Sequence, residues 1–304
     1  MNAAPRTLTT RRGNIRYPAY IPVTTFGAKY PLDGLVRPYL PRLAQAVMVS
    51  YHYARQMEEP LRLPLMVDSG GFASLFEHAR VVKSGTLGVL RVRNEDGVES
   101  IHPRDVLDLQ EKTADIAFTL DFPIPPSMDV KEAVRRQKFT VANAHWALAN
   151  RRRKDLPLFA CVQAWDAASA RECARAYRGA SFDGIAIGGL VPRARSLTSV
   201  LSIVEAVREE IGHLPLHVFG LGKPEMTEIL FKEGVDSVDS SSYVQLAADG
   251  KLWSRPDYRI SEPSQSDRLH LALCNLANAV GHPLPLSSAR MFFTTTNLDV
   301  HNDL

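Results

Sequence analysis

The sequence predicts an α/β protein built as a (β/α)8 TIM barrel with a short C-terminal helical extension. Three observations carry that reading. Eight short apolar runs alternate with longer segments of helical periodicity, the pattern of successive parallel βα units. The runs are rich in Val, Ile, Leu and Phe with little strict alternation, as strands covered on both faces are. Most of them end in Asp, Gln or Gly, and the C-terminal strand ends are where a parallel barrel gathers its functional groups. A length of 304 residues suits one such barrel with an appendage.

The expected strands are residues 19–25, 46–51, 63–68, 116–121, 157–163, 184–189, 216–220 and 237–241. Amphipathic segments at 104–113, 131–151, 167–177, 197–211 and 224–232 read as the intervening helices. His102-Pro103 and Lys223-Pro224 place proline in a first turn, where its missing N–H costs nothing. Residues 87–101 read as a β-hairpin inserted after the third strand, turning at Asn94-Glu95-Asp96-Gly97, since Asp-Gly favours tight hairpin turns. The barrel is expected over 1–255. Residues 256–304 are expected to form an extension, with 256–267 a polar, proline-bearing linker, 269–280 a helix packed on the barrel, and 294–304 a frayed end.

Composition narrows the class. A hydrophobic share of 45% and a charged share of 23% are those of a globular chain with a full core. A formal charge of +3 neither demands nor excludes a nucleic-acid partner, because local patches outweigh the sum. Cys161, Cys173 and Cys274 form no C-x-x-C pair or metal-ligand spacing, and such sparse cysteines suit a reducing compartment. The N-terminus has no apolar signal region, and no run of about 18 apolar residues exists. A cytoplasmic protein without membrane spans or cofactor is expected.

The strand ends suggest chemistry. Asp68, Asp121 and Asp239 close the third, fourth and eighth strands, Gln163 the fifth, Gly188-Gly189 the sixth and Gly220-Leu221-Gly222 the seventh. Two carboxylates beside one sugar can divide a glycosidic exchange into nucleophile and acid/base. A third can accept from the N–H edge of a purine, and Gln163 offers both donor and acceptor. Gly188-Gly189 lets backbone N–H groups approach a carbonyl, and Phe72 offers a face for a planar base. Bland readings stand beside these. Asp68 could cap a helix; Phe72 and Phe219 could be core aromatics; Gly220 could only turn the chain. Asp236, at an odd offset from Asp239, is expected to be structural. His52 is expected to be a hydrogen-bonded support, and the run 151–154 a solvated helix end.

These residues also resemble the tRNA-guanine transglycosylase family, over roughly residues 11–250. The resemblance rests on an ordered set: Arg12-Gly13-Asn14-Ile15, Ser50-Tyr51-His52, Asp68-Ser69-Gly70-Gly71-Phe72, His102-Pro103 with Gln110, Ala114-Asp115-Ile116, Val162-Gln163, Ala186 to Leu190, Gly220 to Glu225, and Gly234 to Asp239. It implies that Asp239 is the nucleophile attacking C1′, that Asp68 is the general acid/base, and that Asp121, Gln163, Gly188, Gly189, Leu190 and Gly220 read the base between Phe72 and Phe219. It further implies exchange of guanine in nucleic acid for a 7-deazaguanine such as preQ0. Family members commonly dimerise, and a short barrel acting on duplex DNA is expected to call on a helper for strand opening.

The chain departs from the family pattern in places. No zinc set of Cys-x-Cys-x-x-Cys with a later His follows Asp239, so no metal is expected. Ser240-Ser241-Ser242-Tyr243 stands where Cys-x-x-Pro-Thr-Arg is usual, Ala73 where Gln is, and Val191 to Arg195 where an acidic residue is. The departures favour the branch that modifies DNA over tRNA. Arg193 and Arg195, on a loop at the mouth, are expected to meet phosphates. The alternatives are a tRNA enzyme, a non-catalytic nucleic-acid-binding subunit, and an unrelated barrel acting on a small phosphorylated substrate.

Overall fold

All eight apolar runs become strands of one parallel sheet in the computed structural model, which describes residues 6–25, 31–57, 61–95 and 97–282. Ahead of them lies a small antiparallel pair, β1 (Thr7–Thr10) and β2 (Gly13–Arg16). The barrel begins with β3 (Ala19–Pro22), followed by helices α1 (Pro31–Val36) and α2 (Leu40–Leu43). Strand β4 (Val47–Val49), the short helix α3 (Tyr51–Ala54) and strand β5 (Leu65–Val67) come next. A 3-10 turn over Gly71–Leu75 then leads to an antiparallel sheet of β6 (Ala79–Ser84), β7 (Leu87–Asn94) and β8 (Gly97–Ile101). The expected hairpin is thus the outer two-thirds of a three-stranded insertion; Asp96 of its turn lies outside the described residues.

Regular βα units fill the rest. They are α4 (Pro103–Thr113), β9 (Ile116–Phe118), α5 (Val130–Asn150), β10 (Leu158–Val162), α6 (Ala167–Arg175), β11 (Gly184–Ile187), α7 (Leu197–Ile211), β12 (Leu216–Val218), α8 (Pro224–Lys232) and β13 (Ser237–Ser240). Local chemistry sets the helix starts. Asp129 accepts from the N–H groups of Lys131 and Glu132, Asp166 from Ser169, and Ser196 from Ser199. Pro103 and Pro224 open α4 and α8. The barrel order is β3-β13-β12-β11-β10-β9-β5-β4, and a parallel bridge between Val23 and Met48 brings its two ends together.

Strand alternation sorts the core. Ala19, Ile21, Met48, Met66, Phe118, Phe159, Cys161 and Ala186 fill the barrel, with Ile15 and Tyr17 packed against them. Val47, Leu65, Ala117, Leu158, Ile185, Leu216 and Val238 face outward and meet the helices. Residues two apart share a face, so His217 and Asp239 point inward with the first set. At the N-terminal end of the strands, Asp115 is gripped by Arg11 (2.9 Å) and Arg12 (2.7 Å) and accepts the Leu65 N–H. Asp236, as expected, is structural: it accepts from Leu216 N–H and pairs with Arg208.

Two expectations need correction. The linker reading of 256–267 fails, because Arg255–Arg259 forms strand β15 against β14 (Lys251–Leu252), after helix α9 (Ser242–Ala248). Alternating polar residues with a proline suit such an edge strand as well as a linker. The run 151–154 is solvated only in part, with Arg152 and Lys154 exposed but Arg151 and Arg153 drawn into the fold. Arg151 is buried on Asp183 and the Leu156 carbonyl, Arg152 meets Glu111 and Asp108, and Arg153 donates to the carbonyls of Glu111 and Ala114. Helix α10 (Gln265–Ala279) packs on α9 and α1, and its apolar side joins the outer core. Residues 294–304, expected to fray, lie outside the described set. Among the described residues no helix is long and apolar enough to cross a membrane.

One brace sits directly beneath the third and fourth strand ends. The buried Gln110 amide donates to the carbonyls of Val67 (2.9 Å) and Phe118 (2.8 Å). Replacing Gln110 by Leu keeps the volume but leaves both buried carbonyls short of a donor. We expect it to lower unfolding free energy by about 1–3 kcal/mol, read as a reduced urea midpoint at unchanged slope.

Candidate active site

The strand ends bring Asp68, Asp121 and Asp239 to one mouth, and Asp68 lies within the electrostatic reach of both others. Asp239, on β13, is buried. Its Oδ1 accepts from Gly220 N–H (3.1 Å) and lies 3.0 Å from His217 Nε2. The other ring nitrogen, His217 Nδ1, is 2.8 Å from Ser237 Oγ. A carboxylate can only accept, so Nε2 carries a proton, while the Ser237 hydroxyl can give or accept at Nδ1. The ring is fully buried against Phe118 and Phe219, which fixes its plane. Oδ2 has no hydrogen-bond partner among the described residues and is the oxygen left for chemistry.

Asp68 follows β5 and is partly exposed. Its Oδ1 accepts from Gly70 N–H (2.8 Å) and Tyr51 N–H (3.1 Å), so the same side chain caps the start of α3. Burial of the carboxyl group pushes its pKa up to about 7; the two N–H bonds oppose the shift, and the charges of Asp239 and Asp121 add to it. His52 is a support, as expected, with Nε2 3.2 Å from the Gly70 carbonyl.

Asp121 is clamped on both oxygens. Ser69 Oγ–H donates to Oδ1 and Gln163 Nε2–H to Oδ2, each at 2.5 Å. Burial raises its pKa, and these two donors restrain the rise. Gln163 is itself held: its Oε1 accepts from Ile124 N–H and its backbone carbonyl from Gln137. Glycine at 188 follows from this clamp, since a Cβ there would stand 2.1 Å from Gln163 Nε2. Gly71 has a similar cause, a Cβ there falling 1.8 Å from the Asp121 carbonyl oxygen.

The predicted base-reading residues divide. The Gly188 N–H is committed to the Val162 carbonyl, as a ladder bond, so it does not reach a ligand. The N–H groups of Gly189 and Leu190 have no partner among the described residues, and the Leu190 side chain is buried in the core. Gly220 spends its N–H on Asp239. Phe72 is 60% exposed, whereas Phe219 is half-buried, edge-on to Phe118. Among the described residues no group of three His, Cys, Asp or Glu side chains is arranged to hold a metal.

Arg193 corrects an expectation. It is 6% exposed and donates to the carbonyls of Gly189 (2.6 Å) and Ile124 (2.9 Å). It therefore ties the sixth-strand loop to the fourth-strand loop and is not available to a phosphate. A loop arginine reads as solvated from sequence, but the carbonyls of two glycine- and proline-rich turns needed a donor. Arg195 is exposed. Sequence reasoning missed His217, Ser237 and Ser69. A signal for His217 existed: a polar residue between the outward Leu216 and Val218 must face the barrel interior.

A parallel barrel with three buried or half-buried carboxylates, a side-chain amide and two unpartnered backbone N–H groups at its mouth defines a class of acid/base and nucleophilic sites. The particular family is shown by comparison: the family model described as queuine tRNA-ribosyltransferase matches residues 3–279, and the chain belongs to that family. It is similar to the tRNA-guanine(15) transglycosylase of Pyrococcus furiosus, 27% identical over 245 residues, covering 78% of this chain and 40% of the relative. It is also similar to that of Methanothermobacter thermautotrophicus, 28% identical over 262 residues, covering 81% of this chain and 37% of the relative. The chain thus spans well under half the length of these relatives.

The Asp68 shift has a stability consequence. A carboxyl whose folded pKa is raised contributes stability fully present below its unfolded value near 3.8 and lost as pH rises through about 7. Asn at 68 keeps an acceptor for Gly70 and Tyr51 but carries no charge. We expect Asp68→Asn to raise Tm over the parent by roughly 2–4 °C at pH 8 and by less at pH 5, measured by calorimetry across that range.

Proposed function

We propose that this chain is a base-exchange transglycosylase that replaces a guanine in nucleic acid with a 7-deazaguanine. One observation supports it above the rest. Asp239 is held by Oδ1 alone, with Oδ2 free, at the same mouth as a carboxyl group whose pKa lies near 7. That is a fixed nucleophile beside a group able to give and take a proton at neutral pH.

The chemistry follows in two displacements. Asp239 Oδ2 attacks C1′ as the C1′–N9 bond breaks, and Asp68 delivers its proton to the departing guanine. The incoming 7-deazaguanine then gives its N9 proton to Asp68 and attacks C1′, and the ester bond to Asp239 breaks. Atoms and charge balance over the cycle, and no cofactor is needed. Asp121 and Gln163 read the purine edge: each Asp121 oxygen keeps a second lone pair for base N–H groups. The N–H groups of Gly189 and Leu190 face no protein acceptor and suit the purine carbonyl. Phe72 supplies a stacking face. The target base must leave its stack to reach such a pocket, at a cost of a few kcal/mol.

DNA is slightly favoured as the polymer, and the incoming base is a 7-deazaguanine such as preQ0. The relatives are named for tRNA, but the segment after Asp239 differs from the pattern they resemble. Ser240 Oγ here accepts from Ser242 N–H and starts α9. The tRNA enzyme is the second reading, favoured by those relatives.

Labelled guanine exchange into purified tRNA, single-stranded DNA and duplex DNA tests the reading. We expect label in DNA and a loss of at least about a thousandfold in Asp239→Asn. Label confined to tRNA would transfer the assignment to the second reading, and no label in any polymer from folded protein would sink both. The rate against pH should fall above about 7, as Asp68 loses its proton, and that limb should be missing in Asp68→Asn. His217→Phe removes the donor to Asp239 while filling the space. We expect kcat to drop roughly 10- to 100-fold with KM for the nucleic acid little changed, and His217→Gln to recover part of the loss.

A further inference from the structure

The surface beside the mouth continues the Phe72 face with side chains that the pocket does not use. Phe72, Phe76 and His78 are all exposed, Phe72 at 60% and Phe76 at 47%. They form a ladder of rings. Phe72 and Phe76 meet edge to face with centroids 5.8 Å apart, and Phe76 and His78 lie nearly parallel at 5.7 Å. Large apolar side chains exposed side by side are a cost to a lone folded chain, and such clusters mark recognition surfaces.

The ladder ends at a basic sheet face. The Arg93 N–H donates to the His78 carbonyl, which sets β7 against the last ring. In the β6–β7 register Arg80 stands directly opposite Arg91, so these two share a face, and Arg93 follows on it two residues along. All three are exposed, and none has an acidic partner within ion-pair distance among the described residues. Arg80 donates only to the carbonyls of Glu77 and Ala79, which orders the side chain and leaves its charge uncompensated. Glu99 is register partner to Val92, hence on the opposite face, and pairs with Arg55. Glu77 and Glu95 stand in the turns at either end of the row. Like charges directly opposite on a sheet are destabilising, so this arrangement suits a polyanion better than a bare surface.

We infer that a single-stranded segment of nucleic acid, flanking the target nucleotide, runs from the barrel mouth over Phe72, Phe76 and His78 and lays its phosphates on Arg80, Arg91 and Arg93. The inference rests on the reading of the pocket as a site for a base in nucleic acid, and it names the strand state and the path of that partner. Rings that stack successive bases beside cations that hold the backbone are how single strands are bound without sequence readout. A duplex presents its backbone to the arginines but no open base face to the rings, so the ladder selects unpaired bases. Both DNA and RNA single strands have this chemistry.

The test is binding, independent of exchange. Fluorescein-labelled 12-nucleotide single strands of DNA and of RNA, and the matching DNA duplex, are titrated by anisotropy against the full chain, Phe76→Ser and Arg91→Gln/Arg93→Gln. All three positions are exposed, and equal thermal melts confirm intact folds. The parent should hold a single strand more tightly than the duplex. Phe76→Ser should weaken single-strand binding about tenfold. The double arginine variant should do so too, and should flatten the log–log salt slope by about 1.4, or 0.7 per lost phosphate contact. Unchanged affinity and slope in both variants overturn the inference, as does a parent that prefers duplex or binds no oligonucleotide. A parent that binds as expected but exchanges no base would instead overturn the catalytic reading and leave the track standing.

Discussion

The carboxylates at the barrel mouth are held by backbone N–H groups, a hydroxyl, an amide and an imidazole in place of lysine or arginine, and the rest of the site depends on that constraint. Asp239 has a backbone N–H and an imidazole, Asp68 two backbone N–H groups, and Asp121 a hydroxyl and an amide. None of the three has a Lys or Arg within ion-pair distance among the described residues. At the opposite end Asp115 and Asp236 are each gripped by arginine. A guanidinium would fix a carboxylate's charge and occupy the lone pairs that chemistry requires. Such donors fix position and leave lone pairs in play, and burial of the Asp68 carboxyl group, with the charges of Asp239 and Asp121 adding to it, holds its proton up to about pH 7 against the pull of its two N–H donors.

That choice propagates into the packing. Such a clamp works only at close range, so the donors must be brought within 2.5–3.1 Å by rigid elements. Gln163 is anchored through Ile124 and Gln137, and glycine at 188 gives its amide room. Gln110 ties the third and fourth strand ends from below, and Arg193 ties the loops above Gln163. His217 is oriented by Ser237 on the next strand, its register partner. Gln110, Gln137 and Arg193 are thus spent on main-chain carbonyls, where they set geometry without adding charge to the carboxylates at the mouth.

The same division explains how much was legible in the sequence. The eight strands were readable because each is an apolar run buried on both faces. The carboxylates were readable because a polar residue ending such a run has few bland explanations. The small strands were not: β1, β6 and β15 are rich in polar residues and partly exposed, and their pairing is decided by register with a neighbour, which no local pattern reveals. Helices α1 and α2 between β3 and β4 have too few turns to show a period. Arg193, Arg151 and Arg153 misled for a single reason. Arginine is read by its charge, but in these places it works as a five-donor fork for carbonyls, and burial of its stem is invisible until the loops are placed. His217 was overlooked because it sits inside a strand and not at its end.

The two halves of the functional surface obey different rules. Inside the mouth, Gln163 is tied to Asp121 and to Ile124 and crowds Gly188, so a change there would disturb all three together. Outside it, Phe76, His78, Arg91 and Arg93 project from a three-stranded insertion whose inner face packs on Phe122 and Phe139. Their removal leaves the core untouched. Pocket chemistry is thus hard to alter piecemeal, while the polymer-facing surface can change residue by residue. Asp68, Asp121 and Asp239 therefore sit in a coupled interior, to which the buried Ser240 and Tyr243 after Asp239 also belong, while Phe76, His78, Arg91 and Arg93 lie on an exterior whose side chains are free to vary one at a time.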